Sequence, residues 1–308
     1  MMPCLGSPED LNSRFGVPQQ LSFRETGEGL MVAEIDNRHA TAAISLQGGH
    51  VMRWQPKSAS QPAIWLSDLA RLLPGKSLRG GVPVCWPWFG PHPKEAGFPG
   101  HGYARTVPWA VTRTSALADG ATQICLELIN SDQTRAMWSP PSRLTLDVTV
   151  GQTLKLTLTT ANLGDEAFAI GEALHTYFHI GNIAATRVLG LEGCEFLDKA
   201  GGSVRRRQEG PIGFSAETDR VYVNTAADCV IEDAQLKRRI RIAKTGSQST
   251  VVWTPWREKA DKMGDFGPDG WRRMVCVESA NALENVVSMP GHGSHSMTVE
   301  YSLEPLST

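Results

Sequence analysis

Alternation of apolar and polar residues is the main pattern along this chain of 308 residues. Segments 144–150 and 153–159 place an apolar residue at every second position, with Gly151-Gln152 between them. Successive side chains of a strand point to opposite faces, so the pattern predicts an antiparallel hairpin with one buried face. Residues 297–303 alternate in the same way. Weaker runs predict further strands at 30–35, 42–46, 121–128, 221–223 and 240–242.

Helical periodicity is weak, and 30 glycines and 19 prolines divide the chain into short segments. Short strands at frequent intervals with such punctuation are typical of large antiparallel sandwiches. The sequence contains no internal repeat and no linker rich in serine, proline or glycine. We therefore predict an all-β fold, a large antiparallel β-sandwich, formed as a single domain by residues 1–308.

Composition excludes several classes of partner. Hydrophobic residues make up 41% and charged residues 20%, enough for a sizeable core, and the net charge is −2. The basic clusters 205–207 and 237–239 are short and are interpreted as solvated turns, so we expect no nucleic-acid partner. No apolar run approaches the ~20 residues that span a bilayer, so we expect no membrane partner.

The cysteines indicate a reducing compartment. They form no C-x-x-C pair and have no metal-ligand spacing, and residues 1–13 lack the basic start and apolar segment of a signal peptide. We therefore expect a cytoplasmic protein, a monomer, whose thiols are reduced and mostly buried. The six cysteines are Cys4, Cys85, Cys125, Cys194, Cys229 and Cys276.

Two stretches, 71–109 and 252–281, interrupt the strand pattern and are rich in Gly, Pro, Trp, Arg and His. Loops on a rigid scaffold often carry functional groups. Arg79 precedes two glycines, which allow tight backbone geometry beside a guanidinium. His101 lies between two glycines, where its ring can face a cleft. Taken alone, each of these residues is more often structural than functional.

Residues 172–179 read Glu-Ala-Leu-His-Thr-Tyr-Phe-His. As an extended segment they place His175, Tyr177 and His179 on one face. The alternative is a helix on which His175 and His179 are paired metal ligands, but a helical pattern and an obvious third ligand are both missing. Farther along, Glu278 ends an apolar run, where a buried carboxylate must be either paired with an arginine or functional.

Five segments that carry these residues occur in one order along the chain: Arg79-Gly-Gly-Val-Pro, His101-Gly-Tyr-Ala-Arg105, Leu174-His-Thr-Tyr-Phe178, Thr218-Asp-Arg-Val-Tyr222 and Val277-Glu-Ser-Ala-Asn281. Together they resemble the hexose-6-phosphate mutarotase (glucose-6-phosphate 1-epimerase) branch of the aldose 1-epimerase family. Gly48-Gly-His-Val51, Trp253-Thr-Pro-Trp256 and Asp265-Phe266 fit the same pattern. No single motif is decisive, but five in sequence are difficult to obtain by chance.

The resemblance implies a galactose-mutarotase-like sandwich with a cleft on one sheet. It implies an isomerase that interconverts the α and β anomers of a hexose 6-phosphate, with glucose 6-phosphate as the expected substrate. His175 corresponds to the general acid and Glu278 to the general base. The implied substrate-binding and cleft residues are Arg79, Arg105, Asp219 and His101. Some relatives carry a polar residue where this chain has Gly100, so any contact made there would have to come from backbone or water.

These residue types suit anomer exchange. A base removes the proton of the C1 hydroxyl while an acid protonates the ring oxygen, and the two groups then exchange roles. Protons alone are required, so we expect no metal, nucleotide or redox cofactor, in agreement with the lack of a phosphate or dinucleotide glycine motif. Two arginines could bind a 6-phosphate through charge-assisted bonds.

Three alternatives remain open at this point. The chain could be a mutarotase of unphosphorylated aldoses such as galactose, or a non-catalytic sugar-binding sandwich. It could also be a glycoside hydrolase or lyase that uses two carboxylates, with Asp219 as the second acid. The presence of both His175 and Glu278 argues against the binding module.

Overall fold

The computed structural model describes residues 6–306, and Cys4 therefore lies outside the described residues. The helices are α1 Pro8–Phe15, α2 Asp132–Met137 and α3 Trp256–Met263. The strands are β1 Leu21–Glu25, β2 Met31–Asp36, β3 Ala40–Ser45, β4 His50–Pro56, β5 Val84–Cys85, β6 Trp109–Ala116, β7 Thr122–Leu128, β8 Ser142–Val150, β9 Leu154–Asn162, β10 Phe168–Ile170, β11 Glu172–Leu174, β12 Tyr177–His179, β13 Thr186–Leu189, β14 Glu195–Asp198, β15 Val204–Arg207, β16 Ile212–Gly213, β17 Thr218–Tyr222, β18 Cys229–Asp233, β19 Arg238–Thr245, β20 Ser249–Thr254, β21 Met274–Asn281, β22 Val287–Met289 and β23 Ser294–Pro305.

Antiparallel pairing assembles these strands into two large sheets and two small ones. The sheet orders are β16-β13-β18-β19-β23-β9-β8-β7-β6, then β15-β14-β17-β20-β21-β11-β5 with β12 also on β21, then β1-β2-β3-β4, and finally β10-β22. The predicted all-β fold, a large antiparallel sandwich, is confirmed.

The two large sheets differ in their burial patterns. In β8 and β9 only alternate residues are buried, so one face packs on the core and the other meets solvent. In β20 and β21 every residue is buried, so neither face of these two strands meets solvent. One hydrophobic cluster extends from Leu11 to Tyr301. The assignment of residues 1–308 to a single domain stays a prediction.

The strand predictions are confirmed at each predicted segment, with one local difference. Val150 pairs with Leu154, so the hairpin loop contains three residues, 151–153, rather than two. The interpretation of the basic clusters as solvated turns is correct for Lys237, which lies in a turn, but wrong for the other residues, which lie in strands. Residues 205–207 belong to the edge strand β15, and Arg238 begins β19 with its side chain buried.

The described cysteines are free thiols, as expected, and all except Cys194 are buried. They are Cys85, Cys125, Cys194, Cys229 and Cys276. Within residues 6–306 no helix is long and apolar enough to cross a membrane.

Candidate active site

His175 and Glu278 meet where a short strand stops beside the middle of a sheet. Strand β11 pairs Leu174 with Ser279, and β12 pairs Tyr177 with Cys276, both on β21. The intervening His175 therefore lies across from Glu278. Its Nε2 lies 3.2 Å from Glu278 Oε1, and their side chains are 12% and 1% exposed. The imidazole is thus slightly exposed at the surface, whereas the carboxylate is buried.

The backbone turns between these two strands. The His175 amide donates to the Pro83 carbonyl, and the Thr176 amide donates to the Leu174 carbonyl, so residues 172–179 are not one continuous strand. Of the three side chains that were expected on one face, those of His175 and Tyr177 lie together, whereas that of His179 does not. The rings of His175 and Tyr177 stack with centroids 5.0 Å apart. His179 instead lies beside Arg238, whose Nη2 donates to its carbonyl at 2.5 Å.

The paired-metal alternative is not supported by this geometry. His175 and His179 do not lie on a helix. Among residues 6–306, the group of possible ligands around His175 comprises Cys276 and Glu278, with ligand atoms within 4.8 Å of one another. Burial raises the pKa of the Cys276 thiol well above its usual value, which opposes the thiolate that a metal would need.

Burial moves the pKa values of the His175–Glu278 pair in opposite directions. The pKa of Glu278 is raised well above its usual value by burial and then by Asp219, while Lys199 and Arg105 oppose the shift. The pKa of His175 is lowered well below its usual value by burial and by the nearby positive groups. Near neutral pH the pair therefore holds one proton. Its buried atoms His175 Nδ1 and Glu278 Oε2 lack hydrogen-bond partners among the described residues.

Arg79 is held by a carboxylate and a phenol. Its Nε lies 3.0 Å from both oxygens of Asp265, and its Nη1 donates to the Tyr177 hydroxyl at 2.9 Å. The guanidinium also lies 5.0 Å from the Phe266 ring centroid. Glycine is required at Gly81, where a Cβ would lie 2.1 Å from His50 Nε2. The close packing of the Gly81 backbone against His50 fixes the segment that carries Arg79.

His101 and Arg105 belong to one glycine-bearing loop. His101 adopts a positive φ of 65°, and its ring lies 4.7 Å from Phe89 and 5.8 Å from His175. Burial, with Arg105 and Lys199, lowers the pKa of His101 to about 3, so its ring is neutral at physiological pH. Arg105 Nη2 donates to the Gly100 carbonyl at 2.8 Å. The backbone carbonyl of Gly100 therefore holds the guanidinium of Arg105.

Asp219 completes the set of predicted residues from the neighbouring strands. It lies in β17 and pairs with Trp253 of β20. Burial raises its pKa, and its charge in turn raises the pKa of Glu278. Contacts link His175 directly to Glu278 and to His101, and through Tyr177 to Arg79. Arg105 and Asp219 lie near enough to act on the pKa of Glu278.

Sequence reasoning left two groups of this cleft without a role. The Trp253 ring lies 6.0 Å from both His175 and Tyr177 and forms an aromatic wall. Lys199 follows β14, and its amide donates to the Asp219 carbonyl at 2.8 Å. Trp253 belongs to a segment that fits the family pattern, whereas Lys199 lies in an ordinary polar turn without any motif.

Sequence comparisons with known proteins all indicate one family. The sequence model described as aldose 1-epimerase matches residues 31–302. An Escherichia coli K12 protein, provisionally named glucose-6-phosphate 1-epimerase, is 36% identical over 283 residues, which is 91% of this chain and 93% of that protein. A plant protein of the same provisional name, from Cenchrus ciliaris, is 32% identical over 82% of this chain and 79% of that protein.

Solved structures agree with these sequence matches. A Salmonella typhimurium protein, provisionally described as a mutarotase, superposes with a TM-score of 0.86 at 33% identity and covers 96% of this chain and 99% of its own. A galactose mutarotase-like protein of Clostridium acetobutylicum has a TM-score of 0.71 at 14% identity, with coverage of 93% and 99%. The second likeness bears on the fold alone.

Proposed function

The chain belongs to the aldose 1-epimerase family, and from this premise we propose that it interconverts the α and β anomers of a hexose 6-phosphate. Glucose 6-phosphate is the proposed substrate. The observation that carries the proposal is the contact of 3.2 Å between Nε2 of His175 and Oε1 of the buried Glu278. A buried acid–base pair that holds one proton is the minimum needed to open and close a sugar ring.

In the proposed reaction Glu278 removes the proton of the C1 hydroxyl while His175 protonates the ring oxygen. The bond between C1 and the ring oxygen breaks and leaves an open-chain aldehyde. Rotation about C1–C2 presents the other face of the carbonyl, and the same groups exchange roles for closure. Glu278 acts as base only when the shared proton lies on His175.

The 6-phosphate is proposed to lie against the cations of the cleft. Arg105 makes one backbone contact, to Gly100, and has no carboxylate within 4.0 Å among residues 6–306. A guanidinium in this state can form charge-assisted bonds with phosphate oxygens. Asp219 and the neutral His101 are proposed to bind sugar hydroxyls, and a fixed distal end keeps the open chain in place while C1 rotates.

A second candidate, epimerisation of unphosphorylated aldoses, is favoured by one observation. Arg79 is already paired with Asp265, with its Nε 3.0 Å from both carboxylate oxygens, so its charge is not free for a phosphate. Arg79 is then proposed to bind sugar hydroxyls with its remaining donors and to position Tyr177. We also propose that the protein acts as a cytoplasmic monomer without a metal or other cofactor.

The test is proton NMR or polarimetry of freshly dissolved α-glucose 6-phosphate and α-glucose with and without the protein. The proposal requires faster approach to an unchanged anomer ratio, with a larger kcat/KM on the phosphate ester. Dialysis against EDTA should leave the rate unchanged. Preference for free glucose would establish the second candidate, and release of new reducing ends from oligosaccharides would indicate a hydrolase.

A further inference from the structure

We propose that Lys199 is a further substrate-binding residue, and that its ammonium group forms with Arg105 an anion-binding subsite for the sugar phosphate. This inference rests on the proposed function and names the cations that give it phosphate specificity.

The backbone of Lys199 is fixed at the edge of the cleft. Strands β14 and β17 pair Asp198 with Arg220, and the next amide along, that of Lys199, donates to the Asp219 carbonyl at 2.8 Å. Lys199 therefore emerges from the sheet directly beside Asp219. The position does not depend on a mobile loop, because it continues the hydrogen-bond ladder of two paired strands.

The ammonium group of Lys199 lies next to the aromatic residues that pack around His101. Nζ lies 5.7 Å from the Phe89 ring centroid, and that ring lies 4.7 Å from the ring of His101. His101 in turn lies 5.8 Å from His175. The charge of Lys199 accordingly acts on the ionisation of His101, Asp219 and Glu278. Arg105 donates to the carbonyl of Gly100, the residue that precedes His101, so both cations lie beside the His101 segment.

Lys199 and Arg105 differ from Arg79 in what compensates their charge. Arg79 is paired with Asp265. Neither Lys199 nor Arg105 has a carboxylate oxygen within 4.0 Å in the part of the chain from residue 6 to residue 306. A phosphate monoester carries close to two negative charges near pH 7, and two uncompensated cations match that charge.

A neighbouring lysine provides a matched control. Lys259, in α3, also acts on the pKa of Asp219, but its Nζ lies 2.6 Å from Glu217 Oε1. Its charge is therefore compensated, although it belongs to the same region. Lys259→Met should leave the kinetics close to those of the wild type. Lys199→Met keeps the length of the side chain and removes only the charge and its donors.

The experiment compares wild type, Lys199→Met, Lys199→Arg and Lys259→Met. We expect Lys199→Met to raise KM for glucose 6-phosphate about ten- to a hundredfold, the effect of one charge-assisted bond, with kcat within about twofold. On free glucose kcat/KM should be unchanged. Lys199→Arg should recover most of the loss, and the inhibition constant of inorganic phosphate should rise in parallel with KM in Lys199→Met.

Two results would overturn the inference. An unchanged KM in Lys199→Met would remove Lys199 from the subsite. An equal loss of kcat on free glucose would mean that Lys199 acts through Glu278 and not on the phosphate. If the wild type does not turn over glucose 6-phosphate, the proposed function fails, and calorimetric titration with inorganic phosphate decides the role of Lys199 by itself. Phosphate binding that persists in Lys199→Met, or is missing from the wild type, contradicts the inference.

Discussion

The imidazole of His175 stacks on the phenol ring of Tyr177, with 5.0 Å between centroids and 14° between planes. The Tyr177 hydroxyl accepts a hydrogen bond from Arg79, and Arg79 is in turn held by Asp265. The orientation of the imidazole therefore depends on a chain of contacts that begins at an arginine. This arrangement gives Arg79 a positioning role in addition to any contact with the sugar.

Replacement of Arg79 should therefore impair both sugars. We expect Arg79→Ala to lower kcat/KM about ten- to a hundredfold on glucose 6-phosphate and on glucose alike, because the loss acts through Tyr177 and His175. Arg105→Ala should impair mainly the phosphate ester. Parallel kinetics on the two sugars measure the difference. A loss in Arg79→Ala confined to the phosphate ester would assign Arg79 to phosphate binding instead.

The acid–base pair can be tested by nearly isosteric changes. Glu278→Gln and His175→Asn should each slow anomer exchange by at least ~10²-fold, the usual effect of a positioned proton-transfer group. Exchange is measured by NMR on the purified variants. Circular dichroism should show both variants folded. Near-normal turnover in either variant would contradict the role proposed for that residue.

Glu278→Gln should also make the fold more stable at neutral pH. Burial raises the pKa of Glu278 above its unfolded value of 4.5, so the unfolded chain loses this proton first as pH increases. The wild type therefore loses stability as pH rises above 4.5, and the glutamine variant does not share that loss. Urea unfolding at pH 4.5 and pH 7 should show a difference that grows with pH. A difference in the free energy of unfolding that is the same at pH 4.5 and pH 7 would mean that folding does not raise the pKa of Glu278.

The rate should be insensitive to pH around the ordinary imidazole value of 6.5. The pair is active while it holds one proton, and a second proton binds only below the lowered pKa of His175. Glu278 releases the shared proton only above its raised pKa. We expect kcat/KM on free glucose, which avoids the ionisation of phosphate near pH 6, to be flat across pH 6.5. An inflection at that value would place His175 in an ordinary aqueous environment.

The sequence predicts the sandwich well where one face of a strand is solvated. Strands β8 and β9 alternate because their outer faces meet water, and this alternation is visible in the sequence. Strands β20 and β21 are buried at every position, and period two disappears there although β21 carries Glu278. The break between β11 and β12 was missed because it follows from a contact between the His175 amide and Pro83, far away in sequence.

The site residues could be predicted only as far as local motifs extend. Motifs identified Arg79 and, separately, Asp265, but their pairing joins positions 186 residues apart and emerges only from the packed sheets. Lys199 had no motif, because its place in the cleft comes from the pairing of β14 with β17. Local sequence thus indicated which chemical groups are available. The tertiary structure determines which of their charges remain uncompensated.

Lys244 provides a test of the scaffold beside the site. Its Nζ is buried, and four oxygens near the end of β21 lie within hydrogen-bond distance of its three N–H groups, at 2.7–3.1 Å. Within residues 6–306 no carboxylate lies within 4.0 Å of this ammonium group. Lys244→Met removes every one of these donors and leaves the buried carbonyls of Thr225 and Ser249 without this partner. We expect a loss of about 2–4 kcal/mol in the free energy of unfolding at pH 7, measured by urea denaturation.

The pH dependence distinguishes the lost hydrogen bonds from a general packing defect. Burial lowers the pKa of Lys244 to about 8, below its unfolded value of 10.5. Between these values the unfolded wild type holds a proton that the folded protein has released, so its stability rises with pH relative to Lys244→Met, by up to about 1.4 kcal/mol per pH unit. Leu156→Ala, a core change in β9 without a titrating group, is the control. A neutral lysine would still donate two hydrogen bonds, so loss of the proton does not remove all of these contacts. If the free energies of unfolding of the wild type and Lys244→Met differ by the same amount at pH 7 and pH 9.5, the buried amine does not titrate in this range.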